Sequence, residues 1–141
     1  IRYIVITCID RGVFMVDYNK LMEMAKEAST NAYCKYSNFK VGACVLTTSG
    51  KTFKGCNFEN SSYGLAICAE RCAVGAAIVN GESKIDAIAI YSPNTDNCYP
   101  CGACRQVLNE FKNEDVDVIT EENGELKVTK LSYLLPESFT L

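Results

Sequence analysis

The chain reads as an α/β domain, a three-layer α-β-α sandwich around a mixed five-stranded sheet. Three observations predict this. Helical and strand-like segments follow one another in the order helix, two strands, helix, strand, helix, two strands. A hairpin followed by strand–helix alternation implies a mixed sheet with helices on its faces. With 141 residues, 48% hydrophobic and 22% charged, the chain has the size and balance of one globular domain.

Each element has its own signal. Asp17 is the expected N-cap of a helix over about residues 18–33, with Leu21, Met24, Ala25, Ala28 and Ala32 near helical spacing. A strand is expected from Phe39 to Thr47, a turn at Ser49-Gly50, and a partner strand from Thr52 to Asn57. A second helix runs from Cys68 to about Val79 and ends at Asn80-Gly81. Ile85 to Tyr91 is a strongly apolar strand, and the polar stretch Ser92–Tyr99 is a loop. A third helix starts around Gly102 and turns Val107, Leu108 and Phe111 toward the core. Val116–Thr120 and Glu125–Thr129 are strands about an Asn123-Gly124 turn, and Leu131–Leu135 is a short helix stopped by Pro136.

Residues 1–14 are expected to be an extension outside the functional domain, which takes in residues 15–141. The alternative is an extra strand or ordered arm. Ile1–Ile9 is apolar but short, with no clustered basic start and no small-residue cleavage site, so it does not read as a signal peptide. No stretch is long enough to span a bilayer. The formal charge of -3 argues against a protein that grips nucleic acid by its phosphates. Nine cysteines is a high and odd count, and two of them form a Cys-X-X-Cys pair. A reducing cytoplasm and a metal site fit this better than a disulfide framework.

The chemistry concentrates in Cys68-Ala69-Glu70 and Pro100-Cys101-Gly102-Ala103-Cys104. Zinc prefers a tetrahedral shell of sulfur and nitrogen, and a catalytic site keeps one position for water. The chain has no histidine, so only an all-cysteine set is possible: Cys68, Cys101 and Cys104, holding one zinc ion per chain. Both motifs fall at helix starts, where the helix dipole favours thiolate. Three thiolates leave the site negative, and Arg71 and Arg105, near the ligands, are expected to donate hydrogen bonds to the sulfurs. Glu70 is the expected proton carrier. Two residues is ~200° around a helix, so Glu70 reaches the metal only if Cys68 lies where the chain is still entering the helix. Two other readings of the cysteines are a thioredoxin-like redox pair at Cys101 and Cys104, and a structural zinc with Cys72 as a fourth ligand.

From about Met15 to Phe139 the chain resembles the homotetrameric zinc-dependent cytidine deaminases. The resemblance is carried by Ala32-Tyr33-Cys34-Lys35-Tyr36-Ser37-Asn38-Phe39-Lys40-Val41-Gly42-Ala43, Gly55-Cys56-Asn57-Phe58-Glu59-Asn60, Cys68-Ala69-Glu70-Arg71, Pro100-Cys101-Gly102-Ala103-Cys104-Arg105-Gln106-Val107 and Leu134-Leu135-Pro136-Glu137-Ser138-Phe139. It implies zinc-dependent deamination of cytidine and deoxycytidine to uridine and deoxyuridine, a step of pyrimidine salvage, with ammonia released. It implies that Asn57 and Glu59 hold the sugar 3′-hydroxyl, that Phe39 packs on the pyrimidine, and that Ala69 lies with the substrate-binding positions. It also implies a homotetramer with sites at subunit interfaces. There Ser61 and Tyr63 reach a neighbour's sugar pocket, and Phe139 covers a neighbour's base. Tyr99 stands where the family often has Ser. Three rival readings stay open: a deaminase of a base within nucleic acid, a non-catalytic zinc module, and a deaminase of a cytosine-nucleoside antibiotic.

Overall fold

The computed structural model describes residues 4–9 and 12–141, with side chains from Asp17 onward. Residues 1–3, 10 and 11, part of the segment expected to lie outside the functional domain, fall outside the described residues. Strands β1 (Ile4–Ile9) and β2 (Gly12–Asp17) pair antiparallel in a two-stranded sheet of their own. The expected boundary between residues 14 and 15 falls inside β2.

Helix α1 (Tyr18–Ser29) begins as expected, with the Asp17 carboxylate accepting the Asn19 N–H at 2.8 Å. It buries Tyr18, Leu21, Met22, Ala25 and Ala28, one face at helical spacing. It ends four residues before the expected Tyr33. The Tyr33 N–H donates to the Asn57 carbonyl at 3.0 Å, and the Tyr33 carbonyl accepts from the Glu59 N–H at 2.8 Å. Tertiary bonding therefore takes the backbone groups that a longer helix would use.

The main sheet comprises β3 (Gly42–Thr47), β4 (Thr52–Cys56), β5 (Ile85–Tyr91), β6 (Lys112–Glu122) and β7 (Glu125–Lys130), in the order β4-β3-β5-β6-β7. Only the β5–β6 pair is parallel. Helices α2 (Ala69–Val79), α3 (Gly102–Phe111) and α4 (Leu131–Leu134) complete the chain, with a 3₁₀ turn at Tyr63–Leu65 that the sequence did not suggest. Side chains alternate across the strands. Ala43, Val45, Ile88 and Ile90 pack with Ala73, Val74 and Leu108 of α2 and α3. Cys44, Leu46, Ala87 and Ala89 pack with Leu21, Met22 and Ala25 of α1. This is the expected three-layer sandwich with a mixed five-stranded sheet.

Two strand starts moved. The expected strand from Phe39 starts only at Gly42, because Asn38 takes a left-handed turn (φ 55°). β6 starts at Lys112 rather than Val116, since α3 passes directly into extended backbone (ψ 145° at Lys112).

The topology places the site. β4 and β5 both run antiparallel to β3, so they run parallel to each other in direction and end at the same edge of the sheet. Helix α2 follows β4, and α3 follows β5, so both helices begin at that edge, the usual place for a site in an open α/β sheet. Gly55 on β4 lets α2 approach: a Cβ there would lie 2.4 Å from both the Ala69 carbonyl oxygen and the Ala73 nitrogen.

Candidate metal centre

Cys68 is the N-cap of α2 and Cys101 the N-cap of α3, both with extended backbone (ψ 153° and 167°). Neither side chain caps its own helix. The first-turn N–H groups lack intrahelical partners and favour negative charge at the helix entrances. Cys104, at the third position of α3, is fully buried. Cys68 Sγ lies 3.9 Å from Cys101 Sγ, which lies 3.6 Å from Cys104 Sγ, and all three are within 4.8 Å of one another. A tetrahedron of Zn–S bonds about 2.3 Å long has edges of about 3.8 Å. The donor set therefore fits zinc in chemistry and in spacing. Among the described residues the cluster holds these three sulfurs and not Cys72. Three protein ligands match a catalytic zinc site, which keeps its fourth position for water.

Charge at the site follows from its contacts. A hydrogen bond from Cys104, together with donation from Arg71 and Cys101, outweighs burial and pushes the Cys68 thiol down. Cys104, donating to Cys68 and buried, is pushed up. Arg71 Nη2 lies 3.6 Å from Cys68 Sγ, the contact expected of it. Arg105 departs from expectation. It bonds no sulfur among the described residues. Its Nε donates to the Pro100 carbonyl at 2.7 Å and its Nη1 to the Leu134 carbonyl at 2.8 Å. As the fourth residue of α3 it reaches back over the preceding loop, and the fold brings the end of α4 within its span.

Glu70 is 5% exposed at the second position of α2. The extended backbone at Cys68 provides the helix entrance that its reach required. Burial, reinforced by the negative charge of Cys68, pushes its carboxyl up to about 7. A carboxyl at that level exchanges protons readily near neutral pH. It lines a cleft of about 270 Å³ with Phe39, Asn57, Glu59, Cys68, Ala69 and Cys101.

The model of the cytidine and deoxycytidylate deaminase zinc-binding region matches residues 15–120. The chain belongs to this deaminase family. It is 40% identical over 126 residues to a cytidine deaminase of Sporosarcina psychrophila, covering 89% of this chain and 93% of that one. The crystal structure of cytidine deaminase from Burkholderia pseudomallei superposes with a TM-score of 0.82 at 43% identity, covering 88% of this chain and all of that one. That from Mycobacterium tuberculosis gives 0.80 at 38% identity, covering 89% and 99%.

Within this deaminase, the cleft gathers some of the expected substrate residues and not others. The Asn57 side chain is engaged by the segment before β3: its Oδ1 accepts the Val41 N–H at 2.8 Å, and its Nδ2 donates to the Phe39 carbonyl at 2.8 Å. An amide oxygen has a second lone pair and an amide nitrogen a second hydrogen, so a hydroxyl partner is compatible with both bonds. Glu59 Oε1 accepts the N–H groups of Tyr36 and Ser37 at 3.0 and 3.1 Å. Burial opposes, but these bonds win and hold its carboxyl below the usual range. Glu59 also lines a second cavity of about 280 Å³ with Tyr36, Ser37, Asn60, Tyr63 and Ala66.

Ser61, Tyr63 and Phe139 do not line the zinc cleft. Ser61 Oγ lies 2.7 Å from the Tyr36 hydroxyl, and the Tyr63 ring stands edge-on to Tyr36 at 5.5 Å. Phe139 is 68% exposed on the C-terminal segment. Sequence reasoning gave no role to Tyr36 or Cys98. Tyr36 organises Glu59, Ser61 and Tyr63 together, and its signal was its place just before the Ser37-Asn38 turn. Cys98 lines the cleft, and its thiol is pushed up to about 11, chiefly by burial; the loop composition around it gave no hint of this.

Proposed function

We propose that this chain catalyses hydrolytic deamination of cytidine and deoxycytidine, giving uridine or deoxyuridine and ammonia. The observation that carries the reading is the buried Glu70 carboxyl in one cleft with Cys68 and Cys101 of a three-cysteine, zinc-sized cluster. When bound to Cys68, Cys101 and Cys104, zinc supplies the Lewis acidity that makes water a nucleophile at neutral pH. Glu70 takes a proton from the attacking water and delivers it to N3 of the pyrimidine, which makes C4 electrophilic, and the hydroxide so formed adds to C4. Glu70 then carries the proton of the added hydroxyl to the exocyclic amino group, the C4–N bond breaks, and ammonia leaves as the C4 carbonyl forms. Arg71 draws charge from the thiolates by its bond to Cys68. Phe39 packs on the base, Ala69 lies beside it, and Asn57 and Glu59 take the sugar hydroxyl.

In this reading residues 15–141 are the catalytic domain and residues 1–14 lie outside it. The enzyme serves pyrimidine salvage in the cytoplasm and works as a homotetramer, in which Ser61, Tyr63 and Phe139 complete a neighbour's pocket. The large exposure of Tyr63 and Phe139 supports that assignment. Among the described residues no helix is long and apolar enough to cross a membrane.

A substrate panel tests the reaction. Zinc-loaded protein is expected to convert cytidine and deoxycytidine, followed by the fall in ultraviolet absorbance, and to leave a cytosine-containing oligonucleotide intact. Turnover of the oligonucleotide, or of a cytosine-nucleoside antibiotic alone, contradicts it.

A further inference from the structure

We propose that Arg105 is a positioning residue for the metal centre: it sets Cys101 through the Pro100 carbonyl and makes metal retention depend on the docking of α4. The inference rests on the zinc reading above. Of the three sulfur ligands, Cys104 is fully buried, whereas Cys101 is exposed and touches the other two sulfurs from the open side. The residue before it, Pro100, is buried, and its ring fixes its own φ. On the far side of Cys101 its carbonyl accepts the Arg105 N–H at 2.9 Å; on its near side stands the planar Pro100–Cys101 peptide, whose plane contains the Cys101 Cα. Nε of Arg105 fixes that plane by its 2.7 Å bond to the Pro100 oxygen.

The same guanidinium reaches the Leu134 carbonyl at 2.8 Å. Leu134 is the last residue of α4, where carbonyls have no helical partner. Among the described residues no carboxylate pairs with Arg105, so the two carbonyls are its anchors. Helix α3 holds the following segment too. Gln106 and Asn109 donate to the Phe139 carbonyl at 3.4 and 3.3 Å, and Ser138 Oγ donates to Asn109 Oδ1 at 3.1 Å. One helix thus carries Cys104, aims Cys101 and binds the C-terminal segment. A planar fork can serve two carbonyls at fixed angles, which a lysine ammonium cannot.

The test compares wild type, Arg105→Gln, Arg105→Lys and Tyr18→Phe. Tyr18 lies on the opposite face of the sheet, in the α1 layer, and serves as a control for general destabilisation. Two readings are taken on each folded protein: the rate of zinc release to a chromogenic chelator, and the visible spectrum of the cobalt-substituted form, which reports ligand geometry. Wild type must take up one cobalt per chain with thiolate bands; failure there sinks the zinc reading itself, not the role of Arg105. Arg105→Gln is expected to release zinc about tenfold faster or more with an altered cobalt spectrum, and Arg105→Lys to fall between it and wild type. Tyr18→Phe is expected to match wild type in both. Wild-type release and spectrum in Arg105→Gln overturn the proposal, as does equal acceleration in Tyr18→Phe. Should Arg105→Gln fail to fold, the same readings on Arg105→Lys decide.

Discussion

Single side chains in this molecule take their chemistry from where the backbone puts them. Glu70 is an ordinary carboxylate in sequence. Burial, reinforced by the negative charge of Cys68, lifts its carboxyl to about 7, the level the proposed proton carrier needs. Asp115 shows the opposite case. Its Oδ2 accepts the Ser132 hydroxyl at 2.7 Å, and its Oδ1 accepts the N–H groups of Val116 at 2.8 Å and Ser132 at 3.2 Å. Burial would raise its carboxyl, but these bonds outweigh it and hold the group below 3.8. A carboxyl depressed by folding adds stability that is full above its unfolded value and is lost as pH falls through the folded one. The stability difference between wild type and Asp115→Asn should therefore be constant near pH 7 and shrink below about pH 4. Denaturant titrations at several pH values check this, and a pH-independent difference contradicts it. The three-cysteine cluster, with Glu70 at its cleft, was legible because metal chemistry dictates residue type and spacing. The bonds of Arg105 were not, because its partner Leu134 is 29 residues away and only the fold brings it near.

Whole elements show which local signals survive tertiary structure. Asp17 capped α1 as expected, since a cap bonds within two residues. The far end of α1 was misplaced, because the competing partners of Tyr33 lie on the chain after β4. The segment 39–41 stays out of the expected strand for a related reason. Asn57 supplies from its side chain the bonds a neighbouring strand would give. Gly55 carries the element-scale constraint that bears on the site. Its missing Cβ lets α2 sit against β4 with Cys68 at the sheet edge. Gly55→Ala is expected to cost about 1–3 kcal/mol by overpacking and to weaken zinc retention, because α2 must shift. A thermal melt with a zinc assay checks both. Wild-type values in both would show that the approach of α2 does not set the site.

At the scale of the molecule, the fold class was readable because strand order and helix placement follow from the alternation of elements. The homotetramer with shared sites, expected from the resemblance, is a proposal that belongs to this scale. Tyr63 and Phe139 are largely exposed and stay out of the zinc cleft. If neighbours complete the pocket, sedimentation should give four times the chain mass, and specific activity should fall on dilution to the dissociated chain. A fully active monomer contradicts that assembly. The central claim joins the cluster to Glu70, and one paired measurement addresses it: ammonia release from cytidine and bound zinc, in wild type and Glu70→Gln. The account predicts one zinc per chain in both proteins, with turnover falling by roughly 10²–10⁴-fold in the variant. Turnover close to wild type in zinc-replete Glu70→Gln, or loss of zinc in step with activity, would contradict Glu70 as the proton carrier.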